Sequence, residues 1–237
     1  MTGAGHLRPI EYAPPINLRD SMRSTLLSLA LLAGIVSASR AQDSCIELIK
    51  FPAVGRWAEY KAVYEKKNPY TVRYAVVGSD KRQGKDLKWV ELRMTGETKD
   101  KNLVYQMLIP GSLASIGDVQ EVIMKPGDKP AMKMNGMMMG MVRGQLQKKS
   151  VFGDLCDEVA LVGKEKVTVP AGTFNSKHYH STKYENDSWV DPALSFGMVK
   201  ATGKHHDIQR IRDGNGAKSS ITETPAEMPG MGGKKDQ

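Results

Sequence analysis

The chain has 237 residues, a formal charge of +8, 40% apolar residues and two cysteines. Its length suits one domain with a tail rather than several domains. Its lysines are scattered and it carries no nucleic-acid motif, so the charge suits anionic surfaces, such as lipid headgroups or cell-wall polymers, or, more plainly, a solvated basic surface, and it does not single out nucleic acid.

Residues 1–21 carry three prolines and no periodicity, which reads as a gene-model extension or a long n-region ahead of an internal start at Met22. Met22–Ala41, MRSTLLSLALLAGIVSASRA, then has the parts of a secretory signal peptide. Arg23 is the positive n-region, Leu26 to Val36 the apolar h-region, and Ser39-Arg40-Ala41 a small-residue cleavage site before Gln42. The apolar run is shorter than the ~18–20 residues that span a bilayer, and no transmembrane segment is expected in the mature protein. Leu31-Leu32-Ala33-Gly34 has the outline of a lipobox, but Ile35 stands where the lipidated cysteine belongs, so no lipid anchor is expected there. Residues 1–41 carry four arginines against Glu11 and Asp20, a net +2, which leaves +6 for the rest. The predicted address is periplasmic or secreted.

Cys45 and Cys156 both fall in the exported part, where disulfides persist, and an even count predicts that they pair. From Arg56 onward the apolar residues recur with period two. Ala58, Tyr60, Ala62 and Tyr64 share one face, and Tyr70, Val72, Tyr74 and Val76 share the next, across a turn at residues 66–69. Gly78 to Asp86 reads as a polar hairpin loop, followed by alternation at Val90, Leu92 and Met94, then at Leu103, Tyr105, Met107 and Ile109. Val119 to Met124 ends at Lys125-Pro126-Gly127. This is the signature of an antiparallel sheet with one buried face.

Ala131 to Gly144, AMKMNGMMMGMVRG, reads as a mobile loop leading into a short helix. Strands then resume over Val159–Val169, Thr173–Tyr184, Ser188–Val190, Phe196–Thr202 and His205–Ile211. The rhythm predicts a mainly β fold over residues 42–212: a strongly curved antiparallel sheet, or half-open barrel, with one or two short helices and a Met-rich loop. From Asp213 to Gln237 glycine, proline, serine and lysine dominate, which predicts a disordered tail.

Two stretches read together. One is Val167-Thr168-Val169-Pro170-Ala171-Gly172-Thr173-Phe174, and the other is Ser188-Trp189-Val190-Asp191 running to Phe196-Gly197-Met198-Val199-Lys200. Over about Gly163 to Gly203 the chain resembles bacterial periplasmic proteins of the lipoprotein-carrier-like (LolA/LolB-like) superfamily and related envelope domains. The resemblance implies a half-open barrel with helices across its concave face and, in the best-known members, a cavity that holds acyl chains during lipoprotein transport.

Three groups are candidates for chemistry. Met132, Met134, Met137, Met138, Met139 and Met141 fall within ten residues; unbranched thioethers adapt to irregular apolar partners, so they suit a flap over a lipid or a hydrophobic segment. The plainer alternative is a loop whose methionines fill core gaps or face solvent. Soft thioethers also select Cu(I), and Met134, Met137, Met139 and Met141 have workable spacing. His178 and His180, at i and i+2, share a strand face and could ligate zinc or copper, with Asp187 or Asp207 as possible third ligands; surface histidines are the plainer alternative. Asp154, Asp157 and Glu158 beside Cys156 read as a solvated acidic turn. No nucleophile elbow, zincin helix, phosphate loop or dinucleotide fingerprint is present, so no catalytic residue is assigned.

The sequence therefore points to an exported, non-enzymatic envelope protein without a cofactor, which binds a lipid, acyl chain or hydrophobic segment on a curved sheet. Copper handling by the methionines, and a structural or assembly role in the envelope, are the alternatives.

Overall fold

The computed structural model describes residues 45–65, 69–98, 102–111, 113–136, 138–141, 143, 156 and 158–228. Residues 1–21 and the segment read as a signal peptide with its cleavage site lie outside them. Among the described residues no helix is long and apolar enough to cross a membrane.

A helical turn, α1 (Cys45–Leu48), precedes the strands. The first meander comprises β1 (Trp57–Tyr64), β2 (Tyr70–Arg82), β3 (Lys85–Thr95), β4 (Leu103–Pro110), β5 (Glu121–Pro126) and β6 (Met132–Lys133), with a 3-10 turn at Leu113–Asp118. The second comprises β7 (Ala160–Val169), β8 (Gly172–Ser181), β9 (Asn186–Val190), β10 (Met198–Gly203) and β11 (His206–Gly214), and a short β12 (Ala226–Glu227) follows. They form one curved sheet that is not closed into a barrel, as the strand rhythm predicts, in the order β12-β6-β5-β4-β3-β2-β1-β11-β10-β9-β8-β7. The two meanders thus meet where β11 pairs antiparallel with β1. Among the described residues only β12, against β6, pairs parallel.

The period-two pattern explains which face is buried. Ala58, Tyr60 and Ala62 of β1, Val72, Tyr74 and Val76 of β2, Val90 and Leu92 of β3, and Met107 and Ile109 of β4 join Tyr179, Val190, Met198 and Ala201 in one apolar cluster. The intervening residues, such as Glu59, Lys61, Arg73 and Arg93, take the opposite, outer face. Ile49, Phe51 and the disulfide between Cys45 and Cys156 pack on the core face. That bridge is the pairing the cysteine count predicts, with Cα atoms 5.3 Å apart.

Two expectations are corrected. Gly78 to Asp86 is not a loop: β2 and β3 stay paired out to Arg82 opposite Lys85. The chain reverses in two residues, Gln83 and Gly84, both at positive φ, the geometry that matches strand twist in a tight hairpin. The polar composition concealed this because the ribbon's tip has no core to face. The second correction is the tail. Residues 213–228 are ordered: β11 runs on to Gly214 opposite Trp57, and the chain then crosses the outer face as a strap. Ser220 N donates to Glu91 of β3, Gln106 of β4 donates to Ser219 Oγ, and Lys125 of β5 pairs with Glu223 at 2.6 Å. Ile221 is buried with Ile123 and Ala131, and Trp89 and Val104 pack against them. Few apolar residues suffice there because polar side chains of the strap satisfy polar groups buried in the sheet. Residues 229–237 lie outside the described set.

At the far end of the sheet β7 pairs only with β8. It carries Lys164-Glu165-Lys166 at its centre, and Leu161 and Val162 are exposed.

Candidate functional site on the core face

The core face is aromatic at its middle. The Tyr60 and Tyr74 rings meet edge-on with centroids 6.1 Å apart, Tyr74 and Phe196 lie at 5.8 Å, and Phe196 and Phe51 at 6.2 Å. Such pairs add about 0.5–1.5 kcal/mol each beyond area burial. Phe196 reaches this position from a turn where it and Gly197 both have positive φ. A Cβ on Gly197 would sit 3.2 Å from the Leu48 carbonyl, so only glycine lets the turn press against α1.

Arg210 of β11 enters the same face with its side chain fully buried. Its Nη1 donates to the carbonyls of Ser195 (3.0 Å) and Met198 (3.2 Å) and to the Tyr60 hydroxyl (3.3 Å). Asp213 stands 3.4 Å from its Nη2. Burial pushes the Tyr60 hydroxyl up to about 12, against the lowering pull of the Arg210 charge, and burial likewise raises Tyr74. Both phenols therefore stay neutral hydrogen-bonding groups.

The methionine segment closes over this face. Met132 is half-buried on β6, and Met134 and Met139 are buried in the core cluster with Met138 packed against it. Met141 points out, 59% exposed. Met137 lies outside the described residues. Asn135 starts the helical residues 138–141: its side-chain oxygen accepts from Met138 N (3.1 Å) and its carbonyl from Met139 N (2.9 Å), a capping arrangement. The Asn135 amide also donates to Met228 O at 3.3 Å, and Arg143 Nε donates to Val119 O at 2.8 Å. The lid is thus held to both the strap and the sheet.

The histidines occupy the other face. Tyr179 between them is buried in the core, so strand alternation turns His178 and His180 outward, away from Met134 and Met139. The two predicted ligand sets are on opposite sides of the sheet and do not share a site. His178 stacks on Trp189, directly opposite it on β9, with ring centroids 4.6 Å apart. One oxygen of Asp187 lies 2.8 Å from His178 Nε2 and 3.0 Å from His180 Nδ1. Burial pushes the Asp187 carboxyl up, but hydrogen bonds from the two imidazoles outweigh it and the net shift is down. Glu165 of β7 accepts from the Trp189 indole and lies 3.2 Å from His178 Nδ1. Asp207 accepts from Gln209 on β11 and does not join this group. Among the described residues no group of three or more His, Cys, Asp or Glu is arranged to hold a metal ion. Of the acidic turn at residues 154–158, only Cys156 and Glu158 are described, and Glu158 pairs with Lys183.

Sequence reasoning missed Arg210, Tyr60's polar role and the strap. Arg210 carried one usable signal: it sits at the in-facing position, two residues after Ile208 of β11.

No family model matches the chain, and no curated protein matches it in sequence. Two crystal structures resemble it in part. One is a Bacteroides fragilis protein described as exported and as having a YmcC-like fold, 14% identical, with a TM-score of 0.37 over 70% of this chain and 99% of that one. The other is a Parabacteroides distasonis protein described as a lipoprotein, 11% identical, with a TM-score of 0.34 over 69% of this chain and 97% of that one. At these TM-scores neither likeness bears on fold or function.

Proposed function

We propose that this is an exported, non-enzymatic envelope protein that holds a lipid acyl chain or a comparable hydrophobic segment between the core face of the sheet and the Met134–Met139 lid. The observation that carries the reading is the gathering of methionines on that face. Met107, Met134, Met139 and Met198 are buried in one cluster, with Met94, Met124 and Met138 packed against it. Thioether side chains rotate and polarise freely, so such a face can repack around a guest of variable shape at little cost. The signal peptide at Met22–Ala41 and the Cys45–Cys156 bridge agree with an oxidising compartment outside the cytosol.

The test is native mass spectrometry and lipid extraction of protein purified from its own envelope, followed by titration with a fluorescent fatty acid. A variant with Met134, Met138 and Met139 changed to leucine keeps volume but loses adaptability. Co-purifying lipid, with weaker fatty-acid uptake by the variant, supports the reading. A protein free of lipid that takes up no fatty acid overturns it.

A further inference from the structure

Independently of the core face, the outer face carries an unresolved electrostatic conflict. Strand register lines up four charged residues across four adjacent strands. Arg212 of β11 is opposite Glu59 of β1, Glu59 is opposite Arg73 of β2, and Arg73 is opposite Arg93 of β3. Glu59 is buried within this row, and its Oε1 is held by Arg212 through Nε at 2.8 Å and Nη2 at 2.7 Å. In the next row Glu91, also buried, accepts from Gln106 and from Ser220 N. Arg73 and Arg93 are thus opposed in register and neither forms an ion pair among the described residues, while the Glu59 and Glu91 charges only partly offset the repulsion that Arg93 exerts on Arg73. Like charges directly opposite in an antiparallel pair destabilise it.

Arg73 is also built in. Its guanidinium lies over the Trp57 ring, 4.2 Å from the centroid, with Arg212 at 6.0 Å from the same ring. The Trp57 indole is itself fixed by donation to Asn215 O at 3.1 Å. The Arg73 Nε is buried and has no hydrogen-bond partner. Two half-buried guanidinium groups at opposed positions, neither in an ion pair among the described residues, are what a tetrahedral oxyanion would complete, because each offers paired N–H groups that match phosphate oxygens.

We propose that Arg73 and Arg93, positioned by Trp57, form a binding site for a phosphate group on the outer face of the sheet. A phosphate between them removes the like-charge repulsion and supplies acceptors to both. The site lies on the opposite side from the methionine lid, so a phosphate-bearing molecule held there leaves the core face free. The net basic charge of the chain draws such ligands in. The phosphate can belong to a soluble ester or to a phospholipid headgroup, and the experiment separates the two.

The experiment is calorimetric titration of inorganic phosphate at low ionic strength into the wild type and into Arg73→Gln, Arg93→Gln and Arg82→Gln. Saturable binding is expected in the wild type, about tenfold or more weaker in either of the first two. It should be unchanged in the third, whose guanidinium is already paired with Asp80 and Glu121. Arg93→Glu separates a site from mere packing: it should raise the thermal midpoint, because Arg73 gains a partner, and abolish phosphate binding. Sedimentation with phosphatidylglycerol vesicles, against phosphatidylcholine vesicles, gives the source. Recruitment lost in Arg93→Glu identifies a lipid headgroup; phosphate binding without recruitment identifies a soluble ester. Wild type that binds neither phosphate nor phosphatidylglycerol vesicles, or Arg93→Glu that binds phosphate as the wild type does, overturns the proposal.

Discussion

Arg210 Nη1 lies 3.3 Å from the Tyr60 hydroxyl, although 150 residues separate the two in sequence. The contact is a direct cross-strand pair of β11 and β1, so it joins the last strand of the second meander to the first strand of the first. The Tyr60 hydroxyl in turn donates a hydrogen bond to the Met198 carbonyl at 3.2 Å. A buried guanidinium is stable only while its hydrogen bonds are made. Arg210→Ala is expected to destabilise by about 2–4 kcal/mol, because it removes the buried donor of the Ser195 and Met198 carbonyls and leaves a cavity. Tyr60→Phe leaves the carbonyl contacts of Arg210 intact and should cost about 1–2 kcal/mol. Urea unfolding followed by circular dichroism ranks the two; equal losses would show that Arg210 has no role beyond its bond to Tyr60.

Alkaline pH offers a second handle on the same pair. Tyr60 is pushed up to about 12 in the fold, against about 10 in an unfolded chain. A raised value means that its contribution is complete below pH 10 and is lost as pH rises toward 12. The loss is about 3 kcal/mol at the upper end, on the order of 1.4 kcal/mol per pH unit. Tyr74 acts in the same direction. The urea midpoint of the wild type should therefore fall between about pH 10 and pH 12, and that of Tyr60→Phe should fall less. Parallel decline of both proteins would count against Tyr60 as the titrating group.

The strap should behave as part of the fold. Ile221 fills a small cluster with Ile123 and Ala131, and Ile221→Ala should cost about 2–3 kcal/mol, in the usual range for a buried aliphatic truncation. Removing residues 218–237 should cost more, because it also uncovers Glu91 and Gln106 and takes β12 from the edge of β6. Amide exchange read by mass spectrometry should then show deprotection spreading over β4, β5 and β6. A truncated protein with wild-type protection in those strands would show that the strap is dispensable.

The disulfide closes a loop with a sequence separation of 111 residues. In the chain-entropy account a loop of that length is worth roughly 3–5 kcal/mol. Replacing both cysteines by alanine should lower the thermal midpoint by roughly 10 °C for a domain of this size. The loss should be seen equally on reduction of the wild type. A midpoint unmoved by reductant would mean that the two cysteines are not paired in solution.

Much of the sheet could be read from the chain because its strands alternate strictly. Ala58, Tyr60 and Ala62 announce a buried face without knowledge of any partner strand. What could not be read depends on relationships across strands. Asp80 to Lys85 has no apolar phase, so nothing local distinguishes a polar ribbon from a loop. The strap resembles a disordered tail by composition, and only the buried Glu91 and Gln106 and the half-buried Lys125 beneath it supply the reason for its order. His178 and His180 were legible as neighbours on one face from their spacing, while the choice of Asp187 over Asp207 as their partner and the stacking of Trp189 on His178 needed the register of β8 against β9. The Arg73–Arg93 opposition likewise arises from register alone.

The outer edge of β7 bears on how copies of this protein meet. Only alternate residues of an edge strand point N–H and C=O outward, so a second β7 pairing antiparallel must match residues of like parity. Each register centred on Lys164, Glu165 or Lys166 then sets lysine against lysine or glutamate against itself. The same three residues would welcome a strand of complementary charge. Among the described residues Lys164-Glu165-Lys166 thus lies along an unpaired strand side on which a second copy of β7 would meet like charges directly opposite, an arrangement that disfavours edge-to-edge growth.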